Sequence, residues 1–187
     1  MIAFIGGLRH DFKPRRMLGK GGEAEVYRFG RTEVVKLFKG PDHPDHASPE
    51  ERQAAHQRLA EHQLKLPAFP SDLPDNVIGP VALATDGPRG PIVGYTMKRV
   101  RDAELMYRLG EPRNRRNGVF DGALVTRVLL DLHDTISRLH RLSIVLGDFN
   151  DLNVLVQEDR TFFIDTDSFQ FDSFPCRVYS ERFVDPV

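Results

Sequence analysis

Cysteine is almost absent from this chain of 187 residues. Cys176 stands alone, so no internal disulfide can form and no thiolate cluster can hold a metal. An excess of one charge is missing too. The 26 basic residues against 27 acidic leave a formal net charge of −1, which argues against a strong pull toward nucleic acid or an anionic membrane surface. No stretch approaches the roughly 18 consecutive apolar residues that span a bilayer. The opening Met1-Ile2-Ala3-Phe4-Ile5-Gly6-Gly7-Leu8 is too short for a signal-peptide core and has no basic residues ahead of it, so a cytoplasmic location is expected. Internal repeats and low-complexity segments are lacking as well. What remains is an ordinary globular composition, 40% hydrophobic and 28% charged, long enough for one good core or two small lobes.

The chemistry is concentrated late in the chain. Leu139 to Val156 reads as a helix end, a tight polar turn and a short apolar strand. Asp148 and Asn153 lie five positions apart across that turn. A carboxylate there can take a proton from an attacking hydroxyl, and a carboxamide can ligate a metal ion on a phosphate. Downstream, the strand Phe162-Phe163-Ile164 runs into Asp165-Thr166-Asp167-Ser168. Hard oxygen ligands at a strand end, beside an Asp/Asn turn, suit a magnesium–phosphate site. Without such company, Asp148 and Asn153 would read as an Asx turn closing a helix.

The front of the chain carries a second signal. Met17 to Phe29 holds three glycines and a tail that alternates as a strand should. Gly30-Arg31-Thr32 is a turn, and Glu33 to Phe38 is the return strand. A glycine-rich hairpin lets backbone amides approach a triphosphate, and Lys36 projects from the neighbouring strand as a point charge. Taken alone, the same residues also fit a plain hairpin with a solvent lysine. Ser48-Pro49-Glu50-Glu51 starts a helix: a capping serine, proline in the first turn, acids at the positive end. It runs to about Leu66, and Pro67 to Pro74 is a connector. Val77 to Ala84 and Ile92 to Met97 read as two strands joined by Asp86-Gly87-Pro88, completing an antiparallel sheet. His43, His46 and His56 lack the spacing of a metal site. Asp102 to Gly118 is a polar loop with a basic cluster, Arg113-Asn114-Arg115-Arg116-Asn117. From Phe120 to Leu142, Leu124, Val128, Leu132, Ile136 and Leu139 recur at helical spacing and give one apolar face toward the core.

Together these segments resemble the protein-kinase-like superfamily, in particular compact bacterial serine/threonine kinase-like domains with an Asp-Thr-Asp-Ser metal motif. Leu139, His140, Ile144 and Val145 match the approach to the catalytic loop. Asp148 falls on the catalytic aspartate and Asn153 on the metal-binding asparagine. Gly19 and Gly21 match the first two glycines of the phosphate loop, Ala24 stands in for the third, and Val26 matches the valine after it. The resemblance implies ATP with Mg2+ or Mn2+. Gly19, Lys20, Gly21, Gly22, Ala24 and Val26 would cover the nucleotide, and Lys36 would hold its phosphates. Glu61 would steady Lys36, with Glu50 and Glu51 on the same helix. Met97 and Arg99 would lie beside the adenine at a hinge, Lys98 to Arg101. Asp148, Lys36 and Asn150 form the implied catalytic set. Asn153 and one or both of Asp165 and Asp167 form the metal set, Asp165 being favoured because it directly follows the apolar strand. The sequence departs from the family where Leu146 and Gly147 replace a histidine and an arginine, and where Asn150 replaces a lysine.

The implied fold is α/β, of the α+β type: two-lobed, with an antiparallel N-lobe sheet and hinge over 1–100 and a helical C-lobe over 101–187. Phe171 to Val187 would be the activation segment, with Phe183-Val184-Asp185-Pro186 resembling the approach to the motif that closes it. Further helices normally follow in the family. A truncated C-lobe, with apolar surface on the 120–142 helix covered by a docking partner or by self-association, is therefore the expectation. The implied activity is phosphoryl transfer from ATP to a protein serine or threonine. The alternatives are a pseudokinase acting as a nucleotide-binding or docking module, and a small-molecule kinase. A protein substrate or docking partner is expected, and neither nucleic acid nor membrane.

Overall fold

The structure, a computed structural model, describes residues 1–116 and 121–176. The chain divides into two compact units. One holds residues 1–70 and 80–99; the other holds residues 71–79 and the chain from Val100 onward. The architecture is α+β.

The first unit is built on seven strands: β1 (Ile2–Ile5), β2 (Leu8–Asp11), β3 (Met17–Lys20), β4 (Ala24–Phe29), β5 (Glu33–Phe38), β6 (Ala82–Thr85) and β7 (Ile92–Lys98). They pair antiparallel in the order β2-β1-β6-β7-β5-β4-β3. The first two strands form a hairpin. Gly6 and Gly7 turn it at φ of +58° and +79°, backbone that side chains with a Cβ rarely adopt. One face of the sheet closes over Ala3, Ile5, Phe12, Tyr27, Val35, Leu37 and Ala84, all buried. The span 77–84 is not one strand: only Ala82–Thr85 joins this sheet. At Gly94, β7 approaches β5 so closely that a Cβ would stand 2.1 Å from the Lys36 carbonyl oxygen.

Helix α1 (Pro49–Lys65) begins as its sequence dictates. Ser48 accepts from Glu51 N, the Glu51 carboxylate accepts in return from Ser48 N, and proline occupies the first turn. Gln63 fastens the helix to β7, donating to Ile92 O and accepting from Ile92 N, at 2.9 and 2.7 Å.

The second unit contains β8 (Glu104–Leu105), a 3-10 turn (Met106–Gly110), α2 (Pro112–Arg116), α3 (Gly122–Arg141), β9 (Val154–Gln157) and β10 (Arg160–Phe163). The polar loop expected over 102–118 therefore carries local structure, while Asn117 and Gly118 lie outside the described residues. The strand expected over Phe162–Ile164 begins earlier and stops at Phe163. Asp121 caps α3 by accepting from Leu124 N at 2.6 Å. Val128, Thr135 and Leu139 are buried along it, whereas Leu129 and Leu130 face solvent. β8, β9 and β10 form a three-stranded antiparallel sheet.

A short piece of chain that precedes β6 in sequence completes this unit. Asn76 donates to Thr135 Oγ1 on α3 at 2.8 Å and to Thr161 O on β10 at 3.0 Å. Phe163 N donates to Asn76 O and Ile78 N to Phe163 O, with Val77 bridging Phe163 in parallel.

Candidate functional site

In the first unit the expected nucleotide residues lie on β3, the turn after it, β4, β5, α1, β7 and the residue just past β7. Gly19 pairs with Val26, Val26 with Lys36, and Lys36 with Tyr95, so these residues form one rung across four strands. Facing partners in an antiparallel pair share a side of the sheet, which puts Val26 and Lys36 on one face. Lys36 is buried, with its Nζ 5.7 Å from the centroid of the Phe38 ring. Phe38 in turn stacks on His62 of α1, ring centroids 4.2 Å apart. Glu61, beside His62, is half-buried. Met97 is buried on β7 opposite Val34, and Arg99 N donates to Thr32 O just past the strand.

The glycine turn between β3 and β4 is tied down at several points. Gly21 N donates to Ala24 O, and Lys39 N to Glu23 O, both at 2.9 Å. The Lys39 ammonium, buried, donates to Gly21 O and to Asp45 Oδ2. Lys20 reaches the same carboxylate, and Arg58 of α1 holds Glu23 at 2.9 Å. Hydrogen bonds from Lys20 and then Lys39 hold the Asp45 carboxyl down at about 2. Beside them, the Tyr27 hydroxyl donates to the buried Glu25 carboxylate. Burial first, and Glu25 second, push that phenol far above its ordinary range. Gly22 is exposed at the tip.

In the second unit the polar turn is a closed set of hydrogen bonds. Asn153 Nδ2 donates to Asp148 O at 2.9 Å and to Asp148 Oδ2 at 3.3 Å. Asn150 is engaged at both ends of its amide: Nδ2 donates to Asp148 O, and Oδ1 accepts from Leu152 N. Asn153 N donates to Asn150 O, and Ile164 N to Asn153 O at 3.0 Å. That last bond sets the turn beside the end of β10. Asp165 follows in the left-handed region, at φ of +61°, uncommon for a residue with a Cβ and characteristic of functional turns. Asp165 is half-exposed, whereas Asp167 is buried. Thr166, buried between them, donates to Ile78 O at 3.1 Å and fixes the turn.

Two curated relatives are similar to this chain. The protein kinase YegI of Escherichia coli O157:H7 is 27% identical over 167 residues, covering 86% of this chain and 24% of the relative. The protein kinase YegI of Escherichia coli strain K12 is 27% identical over 165 residues, covering 84% and 23%. Among solved structures, WbdD with the kinase inhibitor LY294002 matches at a TM-score of 0.57 and 18% identity, over 90% of this chain and 35% of that one. A crystal structure described as WbdD matches at 0.59 and 17%, with the same coverage. No family model matches. The fold is protein-kinase-like. The chain spans about a quarter of the length of the YegI relatives and about a third of WbdD.

Within this kinase-like fold, several positioning residues escaped the sequence reading. Asp131 of α3 accepts from both Thr161 N and Thr161 Oγ1, at 2.7 and 2.6 Å, and so anchors the start of β10. Asn76 O accepts from Phe163 N at its far end, Thr166 holds the turn that follows, and Asp45 with Lys39 holds the glycine turn. Only the Asx-type spacing in 148–153 announced such bonds in advance. Gly147, where the resemblance would place an arginine, leaves room that Cys176 fills: a Cβ there would stand 1.8 Å from the Cys176 Sγ. Phe183 to Pro186 lie outside the described residues. Among the described residues, no helix is long and apolar enough to cross a membrane, and no three His, Cys, Asp or Glu gather as a metal-binding group.

Proposed function

We propose that this chain supplies the nucleotide-binding and catalytic segments of an ATP-dependent phosphotransferase whose acceptor is a protein serine or threonine hydroxyl. In this reading residues 1–100 act as the N-lobe and 101–187 as a partial C-lobe. The observation that carries it is the Ile164–Asn153 backbone bond, because it makes one frame of Asp148, Asn153 and Asp165.

The chemistry follows from the groups. Asp148 accepts the proton of the acceptor hydroxyl as its oxygen attacks the γ-phosphorus of ATP. The bond from that phosphorus to the β–γ bridging oxygen breaks, leaving phosphorylated protein and ADP. Lys36 neutralises the nucleotide phosphates beneath the Gly19–Val26 hairpin, with Glu61 as its steadying carboxylate, and Met97 and Arg99 flank the base. Asn153 and Asp165 would hold a divalent metal, whose chemistry is to screen the phosphate charge. The donor set fits: Asn153 Oδ1 accepts no hydrogen bond from a described residue while its Nδ2 is held by Asp148, so a neutral hard oxygen stands beside a carboxylate turn. Asp167, buried two positions on, is the alternative metal ligand to Asp165.

Asn150 favours a second reading, a pseudokinase that binds nucleotide and docks without transfer. Its amide closes the loop at both ends and offers the phosphate nothing comparable to a lysine. Incubation with γ-labelled ATP and Mg2+ tests the choice on wild type and Asp148→Ala. The enzyme reading expects labelled protein only with wild type. Equal labelling in both, or none despite thermal stabilisation by Mg-ATP, rejects it. Label found in a metabolite and in no protein moves the acceptor to a small molecule.

A further inference from the structure

We propose that a cavity of about 370 Å³ on the first unit, lined by Arg15, Arg16, Leu18, Arg28 and Gly30, binds a small phosphorylated anion. Its walls follow from local structure. Pro14 opens a 3-10 turn that presents Arg15 and Arg16 together just before β3. β4 brings Arg28 alongside, and Gly30 turns the chain at φ of +64° with nothing within 4 Å of where a Cβ would be. The cavity therefore sits at the end of the β3–β4 hairpin opposite the glycine turn.

Three guanidinium groups share this space, and none makes a side-chain hydrogen bond or ion pair with a described residue. Four other arginines are compensated: Arg58 by Glu23, Arg108 by Glu104, Arg127 by Asp159 and Arg160 by Asp75. Even neighbouring Lys13 has Asp11 at 3.8 Å. Three like charges around one opening repel one another until an anion enters. Guanidinium forks match phosphate oxygens in pairs, and the volume lies within the range of small-ligand sites, roughly 300–1,000 Å³. No carboxylate lines the opening, so two or more negative charges meet no repulsion. A long acidic peptide would need a longer groove than these five residues make.

The test is calorimetric titration of the whole chain with sodium pyrophosphate, ionic strength held constant with chloride. Wild type and the exposed control Arg89→Gln are expected to bind alike. R15Q/R16Q/R28Q is expected to bind about tenfold more weakly or worse, since charge-assisted contacts are lost. Arg28→Gln alone, an exposed single change, gives an intermediate loss even if the triple variant misfolds. No binding by wild type overturns the proposal. So does equal affinity in the arginine variants. Binding of a hexa-aspartate peptide without pyrophosphate overturns it as well. Failure of ATP to bind while pyrophosphate does would reject the proposed function and leave this site standing.

Discussion

Asn153 donates its side-chain amide to both the main-chain carbonyl and the carboxylate of Asp148, at 2.9 and 3.3 Å. One carboxamide thus holds one carboxylate, and its remaining oxygen accepts no hydrogen bond from a described residue.

If that aim matters for phosphoryl transfer, Asn153→Ala and Asp148→Asn should each lower kcat by about 100-fold or more. Their thermal midpoints should stay within a few degrees of wild type, because the groups removed are only half-buried. Steady-state kinetics beside scanning calorimetry separates the two effects. A matching collapse of stability would mean that the pair is architectural.

Asp45 offers a pH signature. Its folded-state pKa lies near 2, below the ordinary 3.8, so it stabilises the fold fully above that ordinary value and loses the effect as pH falls toward 2. Asp45→Asn should lower the midpoint at pH 7, where buried Lys39 loses its carboxylate. The difference from wild type should close between about pH 4 and pH 2. Thermal melts across that range give the answer, and a gap that persists at pH 2 would exclude the ion pair as its source.

Asn76→Ala removes two buried hydrogen bonds in the second unit, to Thr135 and to Thr161. The expected loss is about 1–3 kcal/mol, from buried partners left unsatisfied. Urea unfolding should show it as a lower midpoint at an unchanged slope.

Gly94→Ala forces a methyl against the Lys36 carbonyl, where a Cβ has only 2.1 Å. Backbone cannot yield there without opening the β5–β7 ladder, so a loss of about 1–3 kcal/mol or more is expected. Nucleotide affinity, measured by thermal shift, should fall with it, because Lys36 rides on the displaced strand.

What could be read from the residues is what local rules write. The Ser48–Glu51 box, the Leu124–Leu139 spacing and the strands around Gly30 all announce themselves within a few positions. So does the Asx chemistry of 148–153. The β1–β2 hairpin did not, since four-residue strands are too short to show an alternation. Asn76 to Ile78 left no local mark because their pairing with Phe163 is set some 85 residues away. Asp45 carries no signal of its own in the sequence. Only the fold puts two ammonium groups, one of them buried, around it.

That threading of Asn76 to Ile78 along β10 has a genetic corollary. Dividing the coding sequence after Arg99 would strand the inserted tripeptide on the wrong fragment, depriving Phe163 and Thr166 of their neighbours. The later fragment is then incomplete, whereas the earlier one keeps every residue of the first unit. Complementation between separately expressed pieces becomes the natural outcome, and a clean two-module dissection would require grafting residues 71–79 onto the later fragment rather than a stop codon.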